Sequence, residues 1–289
     1  MTDDAAGALP SSGAGEGAHY LLGHTEEELR RLDIQGDLYR DITRRAFRDA
    51  GVGPGMRVLD IGCGSGDVSL TVAELVGPDG HVVGVDRGSK AVETARRKTR
   101  DLGVENVRFE TCEIHEIDRP EAFDALVGRF VLMHQPDPAA ALAAAVRSVR
   151  PGGVVVMIES YMELIRTGGH SEPTSALYDR IVRFKSDVVR GAGADLHAGG
   201  RLPRTFVEAG LDPPVCRLET RVEGGRESPY YEYVEQSVRS MLPEARRLGL
   251  AGFSEEDVEG LAHRLRQEVV QMNGSLVVWP VVAAWTRAR

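Results

Sequence analysis

The chain predicts an α/β fold, a sheet flanked by helices with further helices inserted as a lid, and three observations carry that expectation. Short apolar runs rich in β-branched residues (58–61, 81–86, 107–110, 123–128 and 154–159) alternate with helical patterns, as buried strands do when crossover helices join them. The first run opens into a turn with three glycines, Gly62-Cys63-Gly64-Ser65-Gly66. Acids stand at the ends of the first two runs, Asp60 and Asp86, where an open α/β sheet places its ligand crevice.

Residues 1–18 are glycine, alanine, serine and acid with little to bury, so a disordered tail is expected. Order is expected from His19-Tyr20 onward, in two helices over 19–50. Thr25 and Glu28 have capping-box spacing for a first helix ending near Ile34. In the second, Leu38, Ile42 and Ala46 recur every four residues, with Tyr39 and Phe47 widening the apolar stripe. The core is expected over 51–160. Its second strand leads to a helix near Ser89, its fourth to an alanine-rich helix, and Pro151-Gly152-Gly153 turns the chain into the fifth.

Residues 161–289 are expected to hold lid insertions and the remaining strands. A helix over 171–190 carries Leu177, Ile181, Phe184 and Val188 on one face. A helix over 203–209, a strand over 215–222, two helices over 229–272 and a last strand over 275–285 complete the pattern. Ser254 should cap the last helix, along which Val258, Leu261, Leu265, Val269 and Met272 form an apolar stripe.

Composition narrows the function. With 289 residues and 42% hydrophobic content the chain can build a large core, and its net charge of −9 argues against a nucleic-acid partner, which needs a concentrated basic surface. No run reaches the roughly eighteen apolar residues of a membrane span, and the N-terminus has neither a basic start nor an apolar core. A cytoplasmic protein without membrane contact is expected. Cys63, Cys112 and Cys216 are too scattered for a disulfide framework or a zinc site, so reduced thiols and no metal are expected.

The glycine turn carries the chemistry. Gly62 and Gly64 let the backbone approach a ligand, Cys63 supplies a small side chain between them, and Asp60 offers a charge suited to an ammonium group and hostile to a pyrophosphate. A dinucleotide fingerprint would need glycine where Asp67 stands. The turn therefore reads as a contact for S-adenosylmethionine. Asp86 is placed to chelate the ribose hydroxyls, with capping of the next helix as its other reading. Glu113 can accept from the adenine amine, and Ile114 flanks the ring. Arg87 and Arg129, following the second and fourth strands, complete the candidate cofactor set.

With these motifs in place, residues 56–161 resemble the core of the class I S-adenosylmethionine-dependent methyltransferases. VLDIGCGSG is similar to the family's first motif, VVGVD to its second, and RPGGVVVMIE to the strand after its fourth. The resemblance implies a Rossmann-like sheet of seven strands, mostly parallel with the last antiparallel. It also implies that Gln35, in a segment similar to one ahead of the first motif in small-molecule methyltransferases, meets the methionine end of the cofactor, with an exposed linker glutamine as its other reading. One departure is Cys112-Glu113-Ile114 where Gly-Asp-Ala is frequent, which gives the acid a longer arm.

Methyl transfer needs alignment and exclusion of water, and a base only for an acidic acceptor. His134, just past the fourth strand, is the leading base, with backbone bonding before Pro136 as its other reading; Tyr20 and His19 are weaker candidates, and His170 and His197 weaker still. The expected acceptor is a small metabolite, of natural-product type, with Tyr161, Tyr178, Phe184, Tyr230, Tyr231 and Tyr233 as candidate contacts. Alternatives are a macromolecular acceptor, or a non-methylating cyclase or binding protein that keeps the cofactor as scaffold. Self-association through the N-terminal or lid helices is a further expectation.

Overall fold

A computed structural model of the chain describes residues 26–289, with side chains from residue 34 onward. The first part runs α1 (Glu26–Ala50), β1 (Arg57–Ile61), α2 (Asp67–Val76), β2 (His81–Asp86), α3 (Ser89–Asp101), β3 (Val107–Thr111), β4 (Phe123–Arg129), α4 (Pro138–Val146) and β5 (Val149–Ser160). The second runs α5 (Glu163–Arg166), β6 (Ser171–Glu172), α6 (Ala176–Gly191), α7 (Ala198–Glu208), β7 (Val215–Glu219), β8 (Val222–Gly224), α8 (Tyr230–Arg247), α9 (Glu255–Val258), α10 (Leu261–Gln271), β9 (Ser275–Val277) and β10 (Val281–Arg287).

The main sheet has seven strands in the order β3-β2-β1-β4-β5-β10-β7. The first five are mutually parallel, and β10 runs antiparallel between β5 and β7. Strand order reverses between β1 and β4, which opens a crevice at their carboxyl ends. The central strands β1, β4 and β5 are buried on both faces, as their near-continuous apolar runs require, while the edge strand β7 is largely exposed. Val58, Val127 and Val156 join one cluster with α1, α2 and α3, while Leu59, Leu126 and Val155 join another with α4 and α7.

The lid is part of the first cluster. Ile181 of α6, Val238 of α8 and Leu265 of α10 are fully buried in it. A second sheet, β6-β9-β8, ties the lid segments together. Among the described residues no helix is long and apolar enough to cross a membrane.

Several boundaries differ from the sequence reading. The helix pair expected over 19–50 is one helix from Glu26, and Thr25 and the tail lie outside the described residues. The expected break near Gln35 does not occur because α1 packs against α2 and α8, and tertiary contact outweighs the poor propensity of Gly36. A Cβ at Gly36 would lie 3.0 Å from the Asp67 carboxyl, so glycine permits that approach. Residues 171–172 form a strand, and α6 starts only after Ser175, whose Oγ accepts from Tyr178 N–H at 2.9 Å. The last strand is split by Pro280, which lacks an N–H for the ladder. The strand over 215–222 likewise divides into β7 and β8. Ser254 caps the short α9, and Gly260, at φ 68°, starts α10 separately. α7 begins at Ala198 with Pro203 inside it.

Candidate active site

At the end of β1 the chain takes left-handed backbone at Gly62 (φ 64°), Gly64 (φ 52°) and Gly66 (φ 89°), which disfavours any side chain. Space demands glycine too: a Cβ would fall 2.5 Å from Val131 Cγ2 at Gly62 and 2.9 Å from Phe109 Cζ at Gly66. At Gly64 it would meet nothing within 4 Å, so the turn is packed on its inner positions and bare at its tip. Cys63 N–H donates to Val85 O at 3.0 Å and pins the turn to β2. Asp86 completes the frame, Oδ2 accepting from Gly64 N–H (2.9 Å) and Oδ1 from Gly88 N–H (2.8 Å). Each carboxylate oxygen keeps a second lone pair for a ligand hydroxyl.

These groups line one cavity of about 410 Å³. Its wall brings together Gln35, Gly62, Cys63, Gly64, Asp86, Arg87, Glu113, Ile114, Arg129 and His134, ten of the expected site residues. Asp60 is a correction. It is fully buried beneath the turn and outside the wall, because strand alternation turns its side chain toward α2, where Ser69 Oγ donates to its Oδ2 at 2.6 Å. Its Oδ1 has no partner among the described residues, and burial pushes its pKa up to about 7. Asp67 is a third acid in the wall, beside Asp86 and Glu113; it accepts from Ser65 Oγ (2.9 Å) and pairs with Lys98 (2.7 Å). Tyr20 and His19 lie outside the described residues.

Arg129 ends β4 half-buried, and its guanidinium donates to Thr43 Oγ1 at 2.9 Å; partial loss of water pulls its pKa down, opposed mainly by Asp67 and Asp60. The wall thus offers a cation and an anion at one end, the Asp86 carboxylate against the bare tip, and a slot with Cys112, Glu113 and Ile114. That set fits S-adenosylmethionine. Arg129 would hold its carboxylate, Asp67 and Gln35 its ammonium end, Asp86 its ribose, and Ile114 and Glu113 its adenine.

His134 closes a short 3-10 turn, Leu132–His134, that leads away from β4. Glu159 of β5, fully buried, holds this turn: Oε1 accepts from Val131 N–H (3.0 Å) and Leu132 N–H (2.7 Å). Burial pushes Glu159 up to about 7 against those donors. Burial, with Arg87 adding repulsion, pulls His134 down to about 4, so its imidazole is neutral at pH 7. Burial also raises the Cys63 thiol well above its usual value, which leaves it inert.

The lid end is built from scattered side chains. Lys185, Tyr233, Ser237, Met241 and Trp279 line it, Tyr39 O–H donates to Trp279 O (2.9 Å), and Gln35 Nε2 donates to Tyr233 Oη (3.3 Å). Of the aromatics expected at the acceptor, only Tyr233 reaches the wall. Tyr178 and Tyr230 join hydroxyls at 2.5 Å in the core, Tyr231 donates to Gly225 O, Phe184 packs on Phe253, and Tyr161 lies against His197. His170 is buried between Ile165 O (2.7 Å) and Asp179, a structural role, and His197 is exposed ahead of α7.

Sequence reasoning missed Asp67, Cys112, Lys185, Ser237, Met241 and Trp279. Lys185 had a signal: four residues after Ile181, it falls on the apolar face of α6, where a charge is costly. Trp279 had one in the Pro280 that follows it. The others carry no local mark.

A family model described as a methyltransferase domain matches residues 53–210, more than half of the chain. The chain is 32% identical over 148 residues to the ubiquinone/menaquinone biosynthesis C-methyltransferase UbiE of Vibrio cholerae, covering 50% of this chain and 55% of that protein. It is 36% identical over 162 residues to a 37.1 kDa protein in transposon Tn4556 of Streptomyces fradiae, covering 56% and 45%. It thus spans about half the length of these curated relatives. The YcgJ protein of Bacillus subtilis shares the fold, with a TM-score of 0.55 at 16% identity over 86% of this chain and 99% of that one. The glycine turn, the strand-end Asp86 and the matched family model agree, and the chain belongs to the class I S-adenosylmethionine-dependent methyltransferases.

Proposed function

We propose that this protein transfers a methyl group from S-adenosylmethionine to oxygen, nitrogen or carbon of a small metabolite, of natural-product type, in the cytoplasm. One observation carries the reading: the cofactor cradle and a largely apolar chamber under the lid are a single cavity of about 410 Å³, a size usual for small-molecule sites. A polymer needs an open groove, and packed lid helices oppose one.

The cofactor supplies a methyl carbon on a cationic sulfur. When bound it would pass that methyl to an electron pair of the acceptor, a lone pair on oxygen or nitrogen or a π or carbanion pair at carbon, with the carbon–sulfur bonding pair left on sulfur. The protein's share is alignment and dryness. Arg129, Asp67 and Asp86 would hold the donor, and Met133, Met162 and Met241, which also line the cavity, would help exclude water from it. Neutral His134 adds no charge beside the sulfonium and can take a proton from an acceptor that loses one. Glu159 keeps that imidazole in place through the backbone of residues 131–132.

The test is release of S-adenosylhomocysteine on incubation with pools of small phenols, acids and amines, with a protein and RNA pool alongside. Release with a small acceptor alone is expected. Release only with the polymers would move the assignment to a macromolecule, and tight binding without release in any pool would favour a non-methylating role.

A further inference from the structure

Exposed large apolar side chains gather at one edge of the main sheet: Val215 (58% exposed) and Leu218 (53%) lie in β7, and Val222 (66%) opens β8 just after it. β7 ends the strand order and, among the described residues, pairs only with β10. Its outer side therefore offers N–H and C=O groups to another strand. The opposite edge is protected, because β3 buries Val107 and Phe109 and leaves Arg108 and Thr111 exposed. Leu218 stands between two charges turned toward α1. Arg217 Nη1 donates to Asp49 Oδ2 at 2.5 Å, and Arg45 Nη2 donates to Glu219 Oε2 at 2.8 Å. Glu219 Oε1 accepts no hydrogen bond among the described residues, with Arg217 Nη1 of the same chain 3.8 Å away.

We propose that the β7 edge is the contact surface for a second copy of this chain, the two strands joining antiparallel about a twofold axis at Leu218. Symmetry leaves few registers. Opposed residues of an antiparallel pair share a face, so a twofold axis through the sheet passes at a residue and never between two. Centred on Cys216, the pairing would set Pro214, which has no N–H, against Leu218. Centred on Arg217 it would oppose two arginines, and on Glu219 two glutamates, both unfavourable. Centred on Leu218 it covers one exposed leucine with the other and sets each Arg217 against the partner's Glu219. The charges on the α1 side then alternate across the joint, Asp49 and Arg217 from one chain meeting Glu219 and Arg45 from the other. So short an edge makes a weak dimer that depends on concentration. The contact is independent of the cavity, and it places self-association on the sheet rather than on the N-terminal or lid helices.

The test is sedimentation velocity on the full chain over a series of concentrations, with dimer expected to replace monomer at on the order of 10 µM. Leu218→Lys should stay monomeric throughout. Arg217→Glu and Glu219→Arg should each be monomeric alone, since each opposes like charges. Mixed together they should form a dimer, because positions 217 and 219 of the two variants then meet with opposite charge. The mixture is its own control for folding, as damaged chains would not associate on being combined. Under a mild oxidant Leu218→Cys should give a disulfide-linked dimer, whereas the wild-type chain, with Cys216 opposite the partner's Thr220, should give none. A wild-type chain that stays monomeric at every concentration, a mixture that does not associate, or Leu218→Cys that does not link overturns the proposal. So does a dimer untouched by Leu218→Lys, which would move the contact to the helices, or a wild-type disulfide dimer, which would move the axis to Cys216.

Discussion

At the glycine-turn end the cavity wall comes from the carboxyl ends of β1 to β4 and the turns that follow them, whereas at the lid end it is side chains from α6, α8 and the loop before β10. The first end is held rigid by close packing and hydrogen bonds to the backbone: Gly62 and Gly66, in left-handed conformation, sit against Val131 and Phe109, and Asp86 accepts from the Gly64 and Gly88 amides. The second end is held by side-chain packing and by the bonds from Tyr39 to Trp279 O and from Gln35 to Tyr233, so single substitutions can alter its chemistry without disturbing the fold. The difference separates a fixed task, gripping one cofactor, from an adjustable one, choosing an acceptor.

Four substitutions sharpen that contrast, from the largest expected effect to the smallest. Gly62→Ala adds a Cβ 2.5 Å from Val131 to a left-handed residue and should cost about 4 kcal/mol in urea unfolding. A loss below about 1 kcal/mol would show that the turn relaxes and is not the rigid end.

Asp60→Asn comes next. The folded-state pKa of Asp60 is raised to about 7, so the folded chain binds its proton more tightly than the unfolded one. Its contribution is fully present below about pH 4 and is lost as pH rises through 7. Asparagine keeps the bond from Ser69 without the charge, and at pH 8 it should be more stable than wild type by on the order of 3 kcal/mol, with no gain at pH 4. Glu159 shifts the same way, so a shallower slope should remain. Parallel urea midpoints for both proteins from pH 4 to 8 would contradict the assignment.

Asp86→Ala should weaken S-adenosylhomocysteine binding by about 1 to 3 kcal/mol, read by calorimetry, and unchanged affinity would remove it from the cradle. His134→Ala should lower turnover by about tenfold with cofactor affinity spared, a smaller loss than a general base usually gives, because a group with pKa about 4 is a weak base at pH 7. Equal turnover would reduce it to a structural residue.

The contrast also decides what was legible in the sequence. Strands buried on both faces announce themselves as apolar runs, so β1 to β5 and the turn were readable from neighbouring residues. Asp60 misled because strand alternation sets where a side chain goes, and a charge near a turn does not by itself face the ligand. The single helix α1 and the split strands β9 and β10 depend on partners far along the chain, which no local window contains. Lys185, Ser237 and Trp279 meet only after α6, α8 and the Pro280 break are folded together. Tyr178 and Tyr230 show the converse, aromatics expected at the acceptor whose hydroxyls satisfy each other in the core.

The most direct test of the central claim is calorimetric titration of the full chain with S-adenosylhomocysteine and, in parallel, with NAD. The cradle of Gly62, Gly64 and Asp86 predicts one saturable site for S-adenosylhomocysteine, weakened in Asp86→Ala, and no comparable site for NAD. Tighter binding of NAD, or no uptake of S-adenosylhomocysteine at millimolar concentration by folded protein, would contradict it.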